Sequence, residues 1–354
     1  MKGLLLPVLV VHLAFGLEIQ LEKASRGDFY AYVGNISVGE QQFSVVFDTT
    51  VSALWIPNQS CPKDLCEKKS TLDPYTRGLN QCFGYIDVPF QGDQISADCY
   101  SGPIKIKQLE PANITSPYVM FGLADRFPSS YKDFPYDGVF GIGPGKEGYI
   151  LESPLRSLIP RSQNRDYTFT TLKISRPASH KTPDQNKSSV IVGSYFDHCE
   201  YVRPFHTLRV HTEGWEFRVD RLSAGHRTIN GSWKAGLDIN TDFIHLPSRV
   251  FQLLVRELGA KNVDGKLSVR CTVNSKVSIN IEGIDYRIPI DDLMEVTAGE
   301  QCILKIKENK SENGWAFRIG TPFLYSRCAV LDHRYFEYRS IGFPVKTREK
   351  SELN

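Results

Sequence analysis

Residues 43–57 read FSVVFDTTVSALWIP, and residues 233–247 read WKAGLDINTDFIHLP. Each segment carries one aspartate, Asp48 or Asp238, behind a mostly apolar strand. Each then runs through polar residues into a second apolar stretch and reaches a proline nine positions after the aspartate. Such likeness between distant segments marks a duplicated unit. Farther along, each half closes an apolar run on glycine: Asp137-Gly138-Val139-Phe140-Gly141 in the first and Phe317-Arg318-Ile319-Gly320 in the second. The expectation is two β-rich lobes, each holding one aspartate on a tight loop.

The rest of the chain agrees. Alternating apolar residues at 29–38, 43–47, 167–174 and 190–193 predict strands between Gly, Pro and Asn turns. Helices are expected only at 154–158 and 248–258, the second with Ser248 as N-cap. The polar stretch 175–189, SRPASHKTPDQNKSS, falls near the middle and reads as a surface loop by a domain boundary. With 354 residues, 42 basic against 40 acidic side chains and 41% hydrophobic residues, the chain can bury sizeable cores, and nothing in its charge calls for nucleic acid.

Residues 1–16 carry Lys2, an apolar run from Leu4 to Phe15 and small residues at Ala14 and Gly16, the pattern of a secretory signal peptide. The run is too short to span a bilayer, and no later segment reaches that length. Eight cysteines, at 61, 66, 82, 99, 199, 271, 302 and 328, suit disulfide formation along that route, and none has zinc-ligand spacing. Cys82 and Cys99 lie almost symmetrically about Gln91-Gly92, which suits a bridge between opposing strands of one hairpin. Glycosylation is expected at the sequons of Asn35, Asn58, Asn113, Asn186, Asn230 and Asn309.

Two lobes that bring Asp48 and Asp238 together would hold carboxylates that cannot both ionise cheaply. They would share a proton, one serving as base and the other as acid toward a water that attacks a peptide carbonyl, with no metal or cofactor. The alternative is that both are ordinary loop aspartates capping turns.

The sequence resembles the pepsin-like aspartic peptidases from Tyr30-Ala31-Tyr32-Val33-Gly34 through Asp48-Thr49, Leu54-Trp55-Ile56-Pro57, Asp137-Gly138, Asp238 and Gly320 to Ile341-Gly342-Phe343. The resemblance implies an all-β bilobal fold with pseudo-twofold related lobes, a central cleft for an extended peptide or protein, and a β-hairpin flap above it. It divides the chain into a signal peptide (1–16), a short N-terminal strand (17–27), an N-terminal lobe (28–182) and a C-terminal lobe (183–354). It also implies bridges Cys61–Cys66, Cys271–Cys302 and Cys199–Cys328, a monomer, and an extracellular or lysosomal destination.

The departures fall at the chemistry. The family has Asp-Thr/Ser-Gly twice, whereas this chain has Asp48-Thr49-Thr50 and Asp238-Ile239-Asn240. Thr50 and Asn240 add bulk where glycine lets the loops approach, and Thr50 fits worse if its position needs a glycine-like backbone. Ile239 removes one of two cross-bracing hydroxyls. Val51 replaces a hydroxyl that supports the first aspartate, while Thr241 keeps the counterpart for the second. Asp242 adds a third carboxylate, which would favour protonation of its neighbours if buried. At the flap, Phe90-Gln91-Gly92-Asp93 falls where the family carries Tyr-Gly-Thr-Gly, so that Phe90 replaces a hydrogen-bonding Tyr, and Phe90 could equally be core packing. Only Leu17 to Gly27 stand where a prosegment with a dyad-neutralising basic residue is expected. The sequence therefore leaves three readings: an unusual peptidase, a peptidase homologue of impaired or lost activity that binds peptides, and a protein whose cleft has no role. The second is favoured.

Overall fold

The computed structural model describes residues 17–26, 29–90, 92–106, 114–145, 153–158, 169–176, 187–193, 205–209, 214–297, 299–310, 314–333 and 339–344. The described chain is dominated by strands, as the alternating pattern predicts. Leu17–Arg26 joins two parts of the thirteen-stranded sheet. Its residues 17–21 pair with Ser188–Gly193, and its residues 22–26 pair with Phe29–Val38. One hydrogen-bonded system therefore runs from a floor shared by both halves into the N-terminal lobe. The floor orders Phe205–Arg209, Ser340–Pro344, Ala329–Asp332, Phe169–Lys173 and Ser188–Gly193 against Leu17–Arg26. The polar stretch 175–189 connects two neighbours of this floor, Phe169–Lys173 and Ser188–Gly193.

The C-terminal lobe is a seven-stranded sheet and a four-stranded sheet. The helix Ser248–Glu257 packs Val250, Leu253 and Leu254 into its core. Its N-cap is Pro247, not Ser248, and no side chain bonds the free N–H groups there. Ser248 lies inside the first turn because the preceding proline already supplies the extended entry.

The internal repeat becomes a repeated strand arrangement. Gln41–Asp48 runs parallel to Gly138–Gly141, with Asp48 opposite Gly141. Arg227–Leu237 runs parallel to Phe317–Ile319, with Leu237 opposite Ile319. The chain leaving each aspartate crosses directly over the glycine that ends its partner strand. A Cβ on Gly141 would lie 2.4 Å from the Ser52 carbonyl carbon, and one on Gly320 would lie 2.2 Å from the Phe243 oxygen. Glycine is required at both because backbone occupies the side-chain space. Beneath these crossings lie fully buried Phe47, Trp55, Phe140, Phe317 and Ile319. Each such side chain contributes roughly 1.5–3 kcal/mol by leaving water.

Candidate active site

The two loops hold each other. Thr49 Oγ1 donates to Leu237 O (2.9 Å) and accepts from Ile239 N (3.2 Å), so the first loop braces the second. The reciprocal hydroxyl is missing at Ile239, and Asn240 supplies a different brace. Its Nδ2 donates to Phe47 O (3.0 Å), and its Oδ1 accepts from Tyr32 N (3.2 Å). Neither Thr50 nor Asn240 has a positive φ: among the described non-glycine residues only Asp264 and Glu282 do. The glycine-like backbone considered for position 50 is not adopted, and Thr50 sits there without that strain.

The Asp48 carboxyl is pushed up to about 6, first by burial and next by the charge of Asp238. The Thr50 hydroxyl and N–H, each donating to Asp48 Oδ1 at 2.7 Å, and the positive charge of Arg318 oppose that rise. Asp238 is fully buried, and its Oδ1 accepts from Asn240 N (2.8 Å). Asp48 lines a cavity of about 1110 Å³, and Asp238, from the equivalent loop, lies close enough for its charge to act on Asp48. The family model for eukaryotic aspartyl protease matches residues 31–343.

The chain belongs to the eukaryotic aspartyl protease family.

It is 25% identical to pepsin A of Suncus murinus over 324 residues, spanning 85% of this chain and 78% of that one. It is 25% identical to pregnancy-associated glycoprotein 2 of Bos taurus, spanning 86% and 80%. Cathepsin E of Aquarana catesbeiana is 24% identical, spanning 77% and 68%.

Within this aspartyl protease framework one residue at the site escaped the sequence reading. Arg318 brings both Nε and Nη2 onto Asp238 Oδ2. Its side chain is 47% exposed whereas that of Asp238 is 1% exposed, so the guanidinium lies between the buried carboxylate and the cleft. The signal was present, because Phe317-Arg318-Ile319-Gly320 places a cation in a run whose counterpart, Gly138-Val139-Phe140-Gly141, is apolar.

Two expected roles change as a result. Thr241 does not support Asp238: its Oγ1 lies 3.2 Å from His245 Nε2, and Arg318 takes the carboxylate oxygen instead. His245 is held near neutral pH without charge, its pKa pushed down to about 4 by burial and then by Arg318 and Lys307. Asp242 is not an isolated third negative charge, since Lys305 Nζ donates to its Oδ2 at 2.8 Å and also pairs with Glu295.

The hairpin of Asn80–Phe90 and Asp93–Ile106 covers the cleft, with Phe90 opposite Asp93 and Gly92 at φ 92° in its turn. Phe90 serves both uses foreseen for it. It lines the cavity, and it packs against Trp55 and Phe134 at ring-centroid distances of 5.8 and 5.1 Å. Disulfides join Cys61 to Cys66, Cys82 to Cys99 and Cys271 to Cys302, with Cα separations of 6.0, 5.1 and 5.1 Å. Cys328 is disulfide-bonded, while Cys199 lies outside the described residues.

Asn35 and Asn230 are exposed, and Asn58 is half-buried. Asn309 Nδ2 donates to Trp315 O (2.6 Å) and Ala316 O (3.2 Å). Asn113, Asn186 and residues 1–16, read from sequence as a signal peptide, lie outside the described residues. Among the described residues no cluster of His, Cys, Asp and Glu could hold a metal ion, and no helix is long and apolar enough to cross a membrane.

Proposed function

We propose that this aspartyl protease binds an extended peptide along the cleft and hydrolyses it poorly or not at all. At mildly acid pH the raised pKa of Asp48 lets it hold the proton of a general acid, with Asp238 as its partner carboxyl. The observation that carries the reading is the Arg318 guanidinium on Asp238 Oδ2, which ties up one oxygen of a carboxyl the dyad chemistry needs. Thr50 adds to it by placing its hydroxyl as well as its N–H on Asp48 Oδ1.

A second, non-catalytic reading, a peptide or protein receptor using the same cleft, is favoured by this same ion pair. The relatives' names, pepsin A and cathepsin E, support the peptidase lineage, and the apolar run of residues 4–15 behind Lys2 supports a secretory route ending outside the cell or in lysosomes. The test is cleavage of quenched-fluorescence peptides at pH 4–6 by secreted full-length protein, beside the Suncus murinus pepsin A. Asp48→Asn and a statine-type inhibitor serve as controls. Turnover about 10²-fold or more below the relative is expected, because Arg318 and the Thr50 hydroxyl alter the electrostatic preorganisation around the two carboxyls. Combining Thr50→Gly, Ile239→Thr and Asn240→Gly should raise it. Wild-type turnover equal to the relative's would overturn the reading.

A further inference from the structure

The two sides of the cleft differ at positions that the duplication makes equivalent. Seven residues after the first aspartate, Trp55 pairs across strands with Val139, and seven after the second, His245 pairs with Arg318. An apolar pair on one side has a cationic, polar counterpart on the other.

The Trp55 side is an aromatic pocket. Trp55, Phe90, Phe127, Phe134 and Val139 all line the cavity, with Phe90 wedged edge-on against Trp55 and Phe134. The opposite side is defined by Arg318, which lines the same cavity. Its Nε and Nη2 both go to a single oxygen of Asp238. A guanidinium carries five N–H donors in a rigid fork. The Nη1 donors have no acceptor among the described residues, and the side chain is half exposed.

We propose that the cleft selects peptides with an acidic side chain beside a large apolar one, the apolar group entering the Trp55–Phe90–Phe134 pocket and the carboxylate binding Arg318. This rests on the reading that the cleft takes extended peptides, and it names which ones. The planar fork of Arg318 matches a carboxylate and can be shared between Asp238 and the ligand. The other charged groups lining the cavity are Arg126, Asp93 and Asp48, while His245, on which the charges of Arg318 and Lys307 act, does not line it. Arg126 is a second cation on the same cavity, and Lys307 and neutral His245 add no negative charge that would repel an acid. At about pH 5 Asp48 is largely protonated, whereas a peptide glutamate remains mostly ionised. Protonated Asp48 then adds no negative charge to repel the ligand carboxylate, which leaves Asp93 as the other acidic group on the cavity wall.

The experiment is isothermal titration of the full secreted protein at pH 5 with octapeptides holding one Phe. The residue on either side of Phe is Glu, Gln or Lys. In wild type the Glu peptide should bind about tenfold more tightly than the Gln peptide, the scale of a charge-assisted hydrogen bond, with Lys weakest. Arg318→Met should bring the Glu and Gln affinities within about twofold of one another, and Arg318→Lys, which keeps charge without the fork, should retain part of the gap. Should Arg318→Met fail to fold, the wild-type series and Arg318→Lys decide. Equal wild-type affinities for Glu and Gln, or a gap that survives Arg318→Met, would overturn the proposal while leaving peptide binding intact. If no peptide in the set binds, the peptide-cleft reading itself falls, and this proposal falls with it.

Discussion

Replacing Asp48 with Asn should stabilise the protein at neutral pH. The Asp48 pKa rises from its ordinary 3.8 to about 6 because the folded state buries the carboxyl and sets it beside Asp238. A raised acid pKa means that folding favours the protonated form. The penalty is therefore fully present above the folded value and vanishes below the unfolded one. A difference of about two pH units corresponds to roughly 3 kcal/mol, an upper limit because the cleft keeps part of the side chain wet. Asn cannot ionise, yet its Oδ1 still accepts from the Thr50 N–H and hydroxyl, so the loop keeps its local bonds. Urea denaturation with disulfides intact, at pH 7.5 and pH 4, separates the terms. Asp48→Asn should gain up to about 3 kcal/mol at pH 7.5 and almost nothing at pH 4. An equal gain at both pH values, or a loss at pH 7.5, would refute the claim that Asp48 is desolvated against Asp238.

Three further outcomes are expected. Asn240→Ala removes the bonds to Phe47 O and Tyr32 N that tie the two loops together, and should lower stability by about 0.5–1.5 kcal/mol for each bond, read from the urea midpoint. Replacing Cys82 and Cys99 together by Ser opens a loop closed over 17 residues, worth about 3 kcal/mol in chain entropy, and should quicken amide exchange in the 80–106 hairpin relative to the rest of the lobe. Burial alone would lower the Lys305 pKa, but its bonds to Asp242 and Glu295 raise it above the ordinary 10.5. The stabilisation from this pairing should be present below about pH 10.5 and fade above, so Lys305→Met should cost stability at pH 7 and narrow its deficit in strong alkali. A pH-independent deficit would assign Lys305 a packing role only.

The duplicated aspartate segments were legible in the chain itself because a strand, a tight loop and a second strand are written locally, in period-2 alternation and turn residues. Spacing also revealed the Cys82–Cys99 bridge, since a hairpin places residues equidistant from its turn opposite one another. The replacement of both loop glycines was equally plain, but its meaning was not. Whether Thr50 is strained depends on its φ, which the crossing over Gly141 and the bond to Asp48 decide. Asp242 and Lys305 stand 63 residues apart, and only the folded lobe pairs them. Arg318 could be seen as a cation in an apolar run. Its destination follows from the parallel pairing of Phe317–Ile319 with Arg227–Leu237, which sets Arg318 beside the carboxylate that ends the neighbouring strand. Local pattern thus determined which residues lie on the two aspartate loops. Long-range strand pairing decided which charges meet there, because ion pairs depend on distances that sequence separation does not encode.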